Sequence, residues 1–193
     1  MRSATASRHS AETQITVSVD LDGGPIEVST GHGFFDHLLT AMARHGRLGL
    51  TVDAKGDLHI DAHHTVEDTG IVVGKALRDA LGDRKGIERT GHAFMPMDEA
   101  LVRAAVDLGG RSFVVWEGEP NSRYTPVIDL TVLEGFVKAM ADHVGANVHI
   151  DVIRGRDYHH VVEATFKALG RALRAATRLD GTTSVASTKE ILD

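Results

Sequence analysis

The chain has 193 residues, 42% of them hydrophobic, and a formal net charge of −6, which suits one globular core or two small halves and argues against a general nucleic-acid binder. It contains no cysteine, which excludes disulfide scaffolds, zinc–thiolate sites and thiol nucleophiles. No apolar run approaches the roughly 18 residues of a membrane span and Met1–Glu12 has no apolar signal core, so a cytoplasmic protein without membrane or nucleic-acid partners is expected.

Ile15, Val17, Val19 and Leu21 alternate, the pattern of a half-buried strand. Asp22-Gly23-Gly24-Pro25 predicts a turn into a second strand. Phe35, Leu38, Leu39 and Met42 fall at i, i+3, i+4 and i+7, the apolar stripe of a helix. Short strands are expected at Leu48–Val52 and Leu58–Ile60, around Lys55-Gly56-Asp57. Asp61 is expected to cap a longer helix that runs to about Leu81.

The same series then returns. Val106-Asp107-Leu108-Gly109-Gly110 matches Val19-Asp20-Leu21 and Gly23-Gly24, and Glu99 precedes Val106 by seven residues as Glu12 precedes Val19. Leu133, Phe136, Val137 and Met140 repeat the helical stripe, Ala139-Met140-Ala141 matches Ala41-Met42-Ala43, and His143 matches His45. Asp157 is the expected cap of a second long helix, to about Arg178, that matches Asp61–Ala80 at an offset of 96. The chain reads as one compact pseudo-twofold domain over residues 1–193, made of two repeats of about 8–93 and 94–180 with a Thr/Ser-rich tail, 181–193.

The repeat carries chemistry. His63-His64-Thr65-Val66-Glu67 returns as His159-His160-Val161-Val162-Glu163, in a chain unusually rich in histidine, with 12. Residues i and i+4 share a helix face, so His63 with Glu67, and His159 with Glu163, can each chelate one ion. The adjacent histidine points about 100° away and is free to reach an ion held by the other copy. Two crossed sites are therefore expected: His159, Glu163 and His64 in one, His63, Glu67 and His160 in the other. Nitrogen and oxygen ligands without thiolate suit manganese, iron or zinc. His37, in Phe35-Asp36-His37, is a natural fourth ligand, but its repeat partner is Gly135, in Leu133-Glu134-Gly135-Phe136. Three readings of that glycine stay open: a water completes the site with activity kept, Glu134 or His143 substitutes, or the second site is weak and activity impaired.

The ordered set Phe35-Asp36-His37, His63-His64-Thr65-Val66-Glu67-Asp68, Gly82-Asp83-Arg84-Lys85-Gly86-Ile87, Pro96-Met97-Asp98-Glu99 and His159-His160-Val161-Val162-Glu163-Ala164-Thr165-Phe166-Lys167-Ala168 resembles the imidazoleglycerol-phosphate dehydratase family of histidine biosynthesis, from about Arg8 to Lys189. The resemblance implies an α+β fold of two ββαββα-like halves, a duplicated unit like the second domain of ribosomal protein S5, with helices packed between two mixed β-sheets. It implies a lyase that dehydrates imidazole glycerol phosphate to imidazole acetol phosphate, two Mn2+ ions per active site, and sites built between subunits of a homo-oligomeric 24-mer. One ion takes His37, His64, His159 and Glu163; the other takes His63, Glu67, His160 and a histidine absent at Gly135. The phosphorylated imidazole substrate is held by Arg89, Arg111, Lys167, Ser187 and Lys189, with His45 in the same set. Glu12 matches the acid/base glutamate, and Glu99 and Asp98 are second candidates. Glu190 stands where the family usually has glycine. Two other classes compete: a different di-metal enzyme such as a hydrolase, and a non-enzymatic or catalytically impaired metal-binding or shell-forming homologue.

Overall fold

The computed structural model describes residues 2–120 and 127–192; Met1 and Asp193, the ends of the expected domain and tail, lie outside the described residues. Strand β2 (Thr13–Asp20) shows the expected alternation, with Thr13, Ile15, Val17 and Val19 buried on one face. Ahead of it runs a strand with no clear sequence signal, β1 (Ser3–His9), none of whose residues is fully buried. Its small polar residues conceal it from hydrophobic patterning. Pairing with β2 defines it, in a register from Ser3↔Asp20 to His9↔Gln14. Thr5 and Ser18 share a hydroxyl contact at 2.7 Å, and Ser7 and Thr16 one at 3.0 Å, of the kind that stabilises facing strands.

The Gly-Gly turn leads into β3 (Ile26–Ser29), yet β2 and β3 do not pair. β4 (Gly49–Gly56) lies between them, antiparallel to β2 and parallel to β3, giving the order β1-β2-β4-β3. Gly49 and Gly24 allow this: a Cβ on Gly49 would sit 3.1 Å from the Gly24 Cα. One expected element is corrected. Leu58–Ile60 is a turn rather than a strand, closed by the Ile60 amide donating to the Asp57 carbonyl at 2.8 Å. Each half thus keeps four strands and two helices but orders them βββαβα instead of ββαββα.

The second half repeats this plan with β5 (Thr90–Met97), β6 (Ala100–Asp107), β7 (Phe113–Glu117) and β8 (Asn147–Arg154), in the order β5-β6-β8-β7. The last helix of the first half ends at Leu81 and β5 begins at Thr90. The four helices are α1 (Gly33–Gly46), α2 (His63–Leu81), α3 (Leu130–Val144) and α4 (Tyr158–Thr177). In the first half α2 covers β1 and β2 and α1 lies on β3; in the second, α4 covers β5 and β6 and α3 lies on β7. Across the middle α1 packs on α4 and α2 on α3, so all four helices lie between the two sheets. Both expected stripes are buried, and Phe35, Phe136 and Phe166 form a ring cluster at the centre, with centroids 5.4 and 5.6 Å apart. Removing such side chains from water contributes about 1.5–3 kcal/mol each.

Asp157 caps α4 as expected, its carboxylate accepting from the His160 amide at 3.2 Å. Asp61 is corrected by one position. The N-cap of α2 is Ala62, and Asp61 accepts the His63 amide from just outside, at 2.7 Å.

The helix crossings depend on glycines. A Cβ on Gly170 would lie 2.1 Å from the Met42 carbonyl oxygen, and one on Gly74 would lie 2.5 Å from the Met140 carbonyl oxygen. Gly170→Ala is therefore expected to push α4 off α1 and destabilise the protein by about 1–3 kcal/mol. The measurement is a lower urea midpoint at unchanged slope; an unmoved midpoint would show that the helices separate without cost.

Candidate metal centre and active site

The α1/α4 crossing brings three expected ligands together at the N-terminal ends of both helices. His37 Nε2 and His159 Nε2 each lie 3.0 Å from Glu163 Oε2. Among the described residues, this is the one place where three His or acidic side chains bring donor atoms within 4.8 Å of one another. Two imidazole nitrogens and a carboxylate, with no thiolate, suit a divalent transition metal. Phe34 packs its ring 5.1 Å from His159 and 6.4 Å from His37, covering the cluster with an aromatic face.

Glu163 is nearly buried. Burial by itself raises its pKa, but hydrogen bonds from Lys167 and His37 outweigh that and hold the carboxyl at about 2. It is thus ionised, the form that ligates a metal. Lys167, one turn along α4, reaches Glu163 Oε1 at 2.7 Å. His45 lies on α1 among the charges of Lys167, Arg171 and Glu163; burial, then Lys167 and Arg171, holds its pKa below the ordinary histidine value.

The α2/α3 crossing is poorer. His63 Nε2 lies 3.4 Å from Glu67 Oε2, the i,i+4 pair anticipated from the sequence. No third acid or histidine joins them among the described residues. Gly135 faces open space: beyond its chain neighbours and the adjoining backbone of its own helix, no atom among the described residues lies within 4 Å of where its Cβ would be.

The crossed assignment of His64 and His160 is not met within one chain. His64 Nδ1 is 2.9 Å from Asp57 Oδ2 and 3.8 Å from Glu12 Oε2, all in the first half. The bond to Asp57 raises the His64 pKa, as Glu12 does more weakly. His160 Nδ1 is 2.8 Å from Glu99 Oε2 and its Nε2 is 3.5 Å from Asp98 Oδ2, both in the β5–β6 turn. The divergence of adjacent helical residues carries each of these histidines away from the helix crossing, toward the strand turn of its own half.

Glu12 and Glu99 occupy matching turns, β1–β2 and β5–β6, but their surroundings differ. Glu99 accepts the amides of Asp157 at 2.7 Å and Arg156 at 2.9 Å, besides the His160 ring. The Asp157 amide, then His160, then the Arg156 amide hold its pKa at about 2. The Glu12 carboxylate meets only His64 among the described residues. Its turn is pinned from below, where Thr13 Oγ1 donates to the buried Asp68 Oδ2 at 2.5 Å.

The expected phosphate ligands divide. Lys167 belongs to the α1/α4 cluster. Arg89 makes a two-pronged pair with Asp107, at 2.7 and 2.9 Å, and donates to the Ala186 carbonyl at 2.7 Å. That contact holds the tail, which also bonds Gly86 through Asp180 and Ser184. Ser187 Oγ accepts the Lys189 amide at 3.2 Å. Glu190 has φ +60°, a left-handed conformation that glycine adopts without strain. Arg111 is exposed beyond the Gly109-Gly110 turn.

Arg89 sits at the far end of α4, where its amide donates to the Ala176 carbonyl. Seventeen residues separate Ala176 from His159, about 25 Å along the axis at about 1.5 Å per residue. Arg89 and the tail therefore cannot reach the His37–His159–Glu163 cluster of their own chain.

Sequence patterning alone does not mark Phe34, Asp57, Asp68 or Arg84 as neighbours of these sites. Asp68 and Arg84 stand inside the motifs Glu67-Asp68 and Asp83-Arg84-Lys85, the one signal that could have drawn attention to them. Arg84 is buried and donates to the carbonyls of Leu108, Gly145 and Val144, tying the post-α2 loop to the end of α3.

A family model described as imidazoleglycerol-phosphate dehydratase matches residues 30–173. Curated relatives of that name include one from Lacticaseibacillus casei, 53% identical over 93% of both chains, and one from Phenylobacterium zucineum, 50% identical over 99% of both. Crystal structures of similar chains include the enzyme from Pyrococcus furiosus, with a TM-score of 0.86 and 36% identity, covering 96% of this chain and 99% of that one. The Staphylococcus aureus enzyme gives a TM-score of 0.81 at 35% identity, over 91% and 99%. With 50% identity along nearly the whole length and the same duplicated fold, the chain belongs to the imidazoleglycerol-phosphate dehydratase family of hydro-lyases.

Proposed function

We propose that the protein dehydrates imidazole glycerol phosphate to imidazole acetol phosphate, using a divalent metal centre and a glutamate base. The observation that carries this reading is the convergence of His37, His159 and Glu163 across the α1/α4 crossing. These three residues, with His64 from a second copy of the chain, are the ligand set for one Mn2+; His63 and Glu67, with His160 from another copy, are the remainder of a second.

The reaction removes the hydroxyl beside the imidazole ring and a hydrogen from the next carbon, and the resulting enol relaxes to the ketone. That hydrogen is not acidic by itself. The bound metal supplies Lewis-acid polarisation of the ring, which favours its deprotonated form and eases loss of the hydroxyl. Glu12 is the general base for the C–H proton: it stands on a pinned turn and no backbone amide occupies its carboxylate. Glu99, saturated by two amides and an imidazole, is a poor base and instead orients His160. Asp98 contributes to the same turn.

Arg89, Arg111, Lys167, Ser187 and Lys189 are the phosphate ligands, with His45 beside Lys167. Arginine forks and lysine charges bind phosphate well. Arg89 and the metal cluster lie at opposite ends of α4, so a site built from both would draw on different subunits, which supports a homo-oligomer, a 24-mer by family resemblance.

The test is turnover of imidazole glycerol phosphate before and after prolonged chelation, with manganese then added back. Loss and recovery are expected. Full activity in metal-free protein would overturn the metal reading, and no activity in metal-loaded protein would overturn the dehydratase reading. The open space at Gly135 favours one variant of this proposal, an enzyme with a weakened second metal position.

A further inference from the structure

The α1/α4 and α2/α3 crossings are two copies of one arrangement. Gly170 rests on the Met42 carbonyl and Gly74 on the Met140 carbonyl, and each of these residues is the repeat partner of its counterpart in the other crossing. The first helices of the halves also end alike, with Arg47 and Gly145 both left-handed at the C-cap. Carrying one crossing onto the other places Gly135 where His37 stands, Val132 where Phe34 stands and Ile71 where Lys167 stands.

At these positions the α2/α3 copy therefore lacks the nitrogen ligand, the aromatic cover and the cation present in the α1/α4 copy. The effect shows in the ligands that remain. The Glu163 side chain is 9% exposed and touches His37, His159 and Lys167. The Glu67 side chain is 49% exposed and, among the described residues, makes one close contact, to His63 at 3.4 Å, with Lys138 as a more distant positive neighbour. Among the described residues, none fills the ligand position over Gly135. The space over Gly135 is open, and His143 Nδ1 is turned back to the Ala139 carbonyl of its own helix at 2.8 Å. Among the described residues, the charges that act on Glu134 are those of Glu119 and Asp129, not Glu67.

We propose that the two metal positions of this protein are unequal: the α1/α4 half-site holds its divalent ion tightly, and the α2/α3 half-site holds a second ion only loosely, with solvent in the ligand position over Gly135. This rests on the metal reading of the preceding subsection. A lost direct ligand costs more than the 10–100-fold typical of an outer-shell partner, so the second ion is expected to bind at least about 100-fold more weakly.

The experiment uses the assembled protein, stripped by chelation, reloaded with Mn2+ alone and desalted into metal-free buffer. Retained manganese is counted by elemental analysis, and affinities by the electron paramagnetic resonance signal of the free ion during titration. Wild type should retain about one ion per chain and Gly135→His about two. In the wild-type background, Glu163→Gln should remove the retained ion and Glu67→Gln should leave it, a comparison that stands even if Gly135→His fails to fold. Two equally tight ions per wild-type chain would overturn the inequality while leaving the metal reading intact. Equal losses from Glu67→Gln and Glu163→Gln would do the same. No retained ion in any variant would overturn both.

Discussion

Glu163→Gln should strip the protein of its tightly held metal and lower kcat by at least about 100-fold, since an outer-shell change already costs about 10–100-fold at metal sites and Glu163 is a direct ligand. The substitution is nearly isosteric, so packing at the α1/α4 crossing survives. What changes is charge. Oε2 receives both His37 and His159 at 3.0 Å, and Oε1 receives Lys167 at 2.7 Å. A neutral amide is a poor ligand for a hard divalent ion, and it leaves the Lys167 ammonium without its counter-charge in a poorly solvated place. Metal analysis and steady-state kinetics, beside an unchanged far-ultraviolet circular dichroism spectrum, check the result. A variant that keeps both metal and turnover would remove Glu163 from the ligand set.

Glu12→Gln should behave in the opposite way with respect to metal. Turnover is expected to fall by about 10²–10⁴-fold, the range for loss of a general base, while manganese content stays at the wild-type level. The repeat partner supplies the control. Glu99 holds the two amides that open α4 and steadies His160, so Glu99→Gln should lower the melting temperature and disturb metal binding as well as rate. If Glu12→Gln loses metal in parallel with activity, Glu12 acts through His64 as a positioning residue rather than as the base. If Glu12→Gln turns over normally, the base lies elsewhere.

Much of the architecture was legible along the chain because it is written in local periodicity. The alternation of β2, the stripes of α1 and α3, and the two His-His-x-x-Glu helices each depend on neighbours within one or two turns, and all appear in place. Strand β1 is not legible in the sequence because its serines, threonine and alanines carry little apolar signal, and only an edge position beside β2 makes it a strand. Leu58–Ile60 looked like a strand for the converse reason: two apolar residues in a short polar frame satisfy the pattern but belong to a turn.

The sequence alone determined the duplication, the residue types able to bind metal and the family, since each resides in motifs a few residues long. Tertiary structure decided how those residues are grouped. Gly170 lets α4 approach the Met42 carbonyl of α1 closely enough for His37 to meet His159 and Glu163. Backbone amides at Arg156 and Asp157, nearly sixty residues away in the chain, make Glu99 unlike Glu12. The length of α4 keeps Arg89 and the tail away from the metal cluster of the same chain. Each outcome depends on groups distant in sequence meeting at a few ångströms, and local periodicity encodes which face is buried but not which distant group it meets.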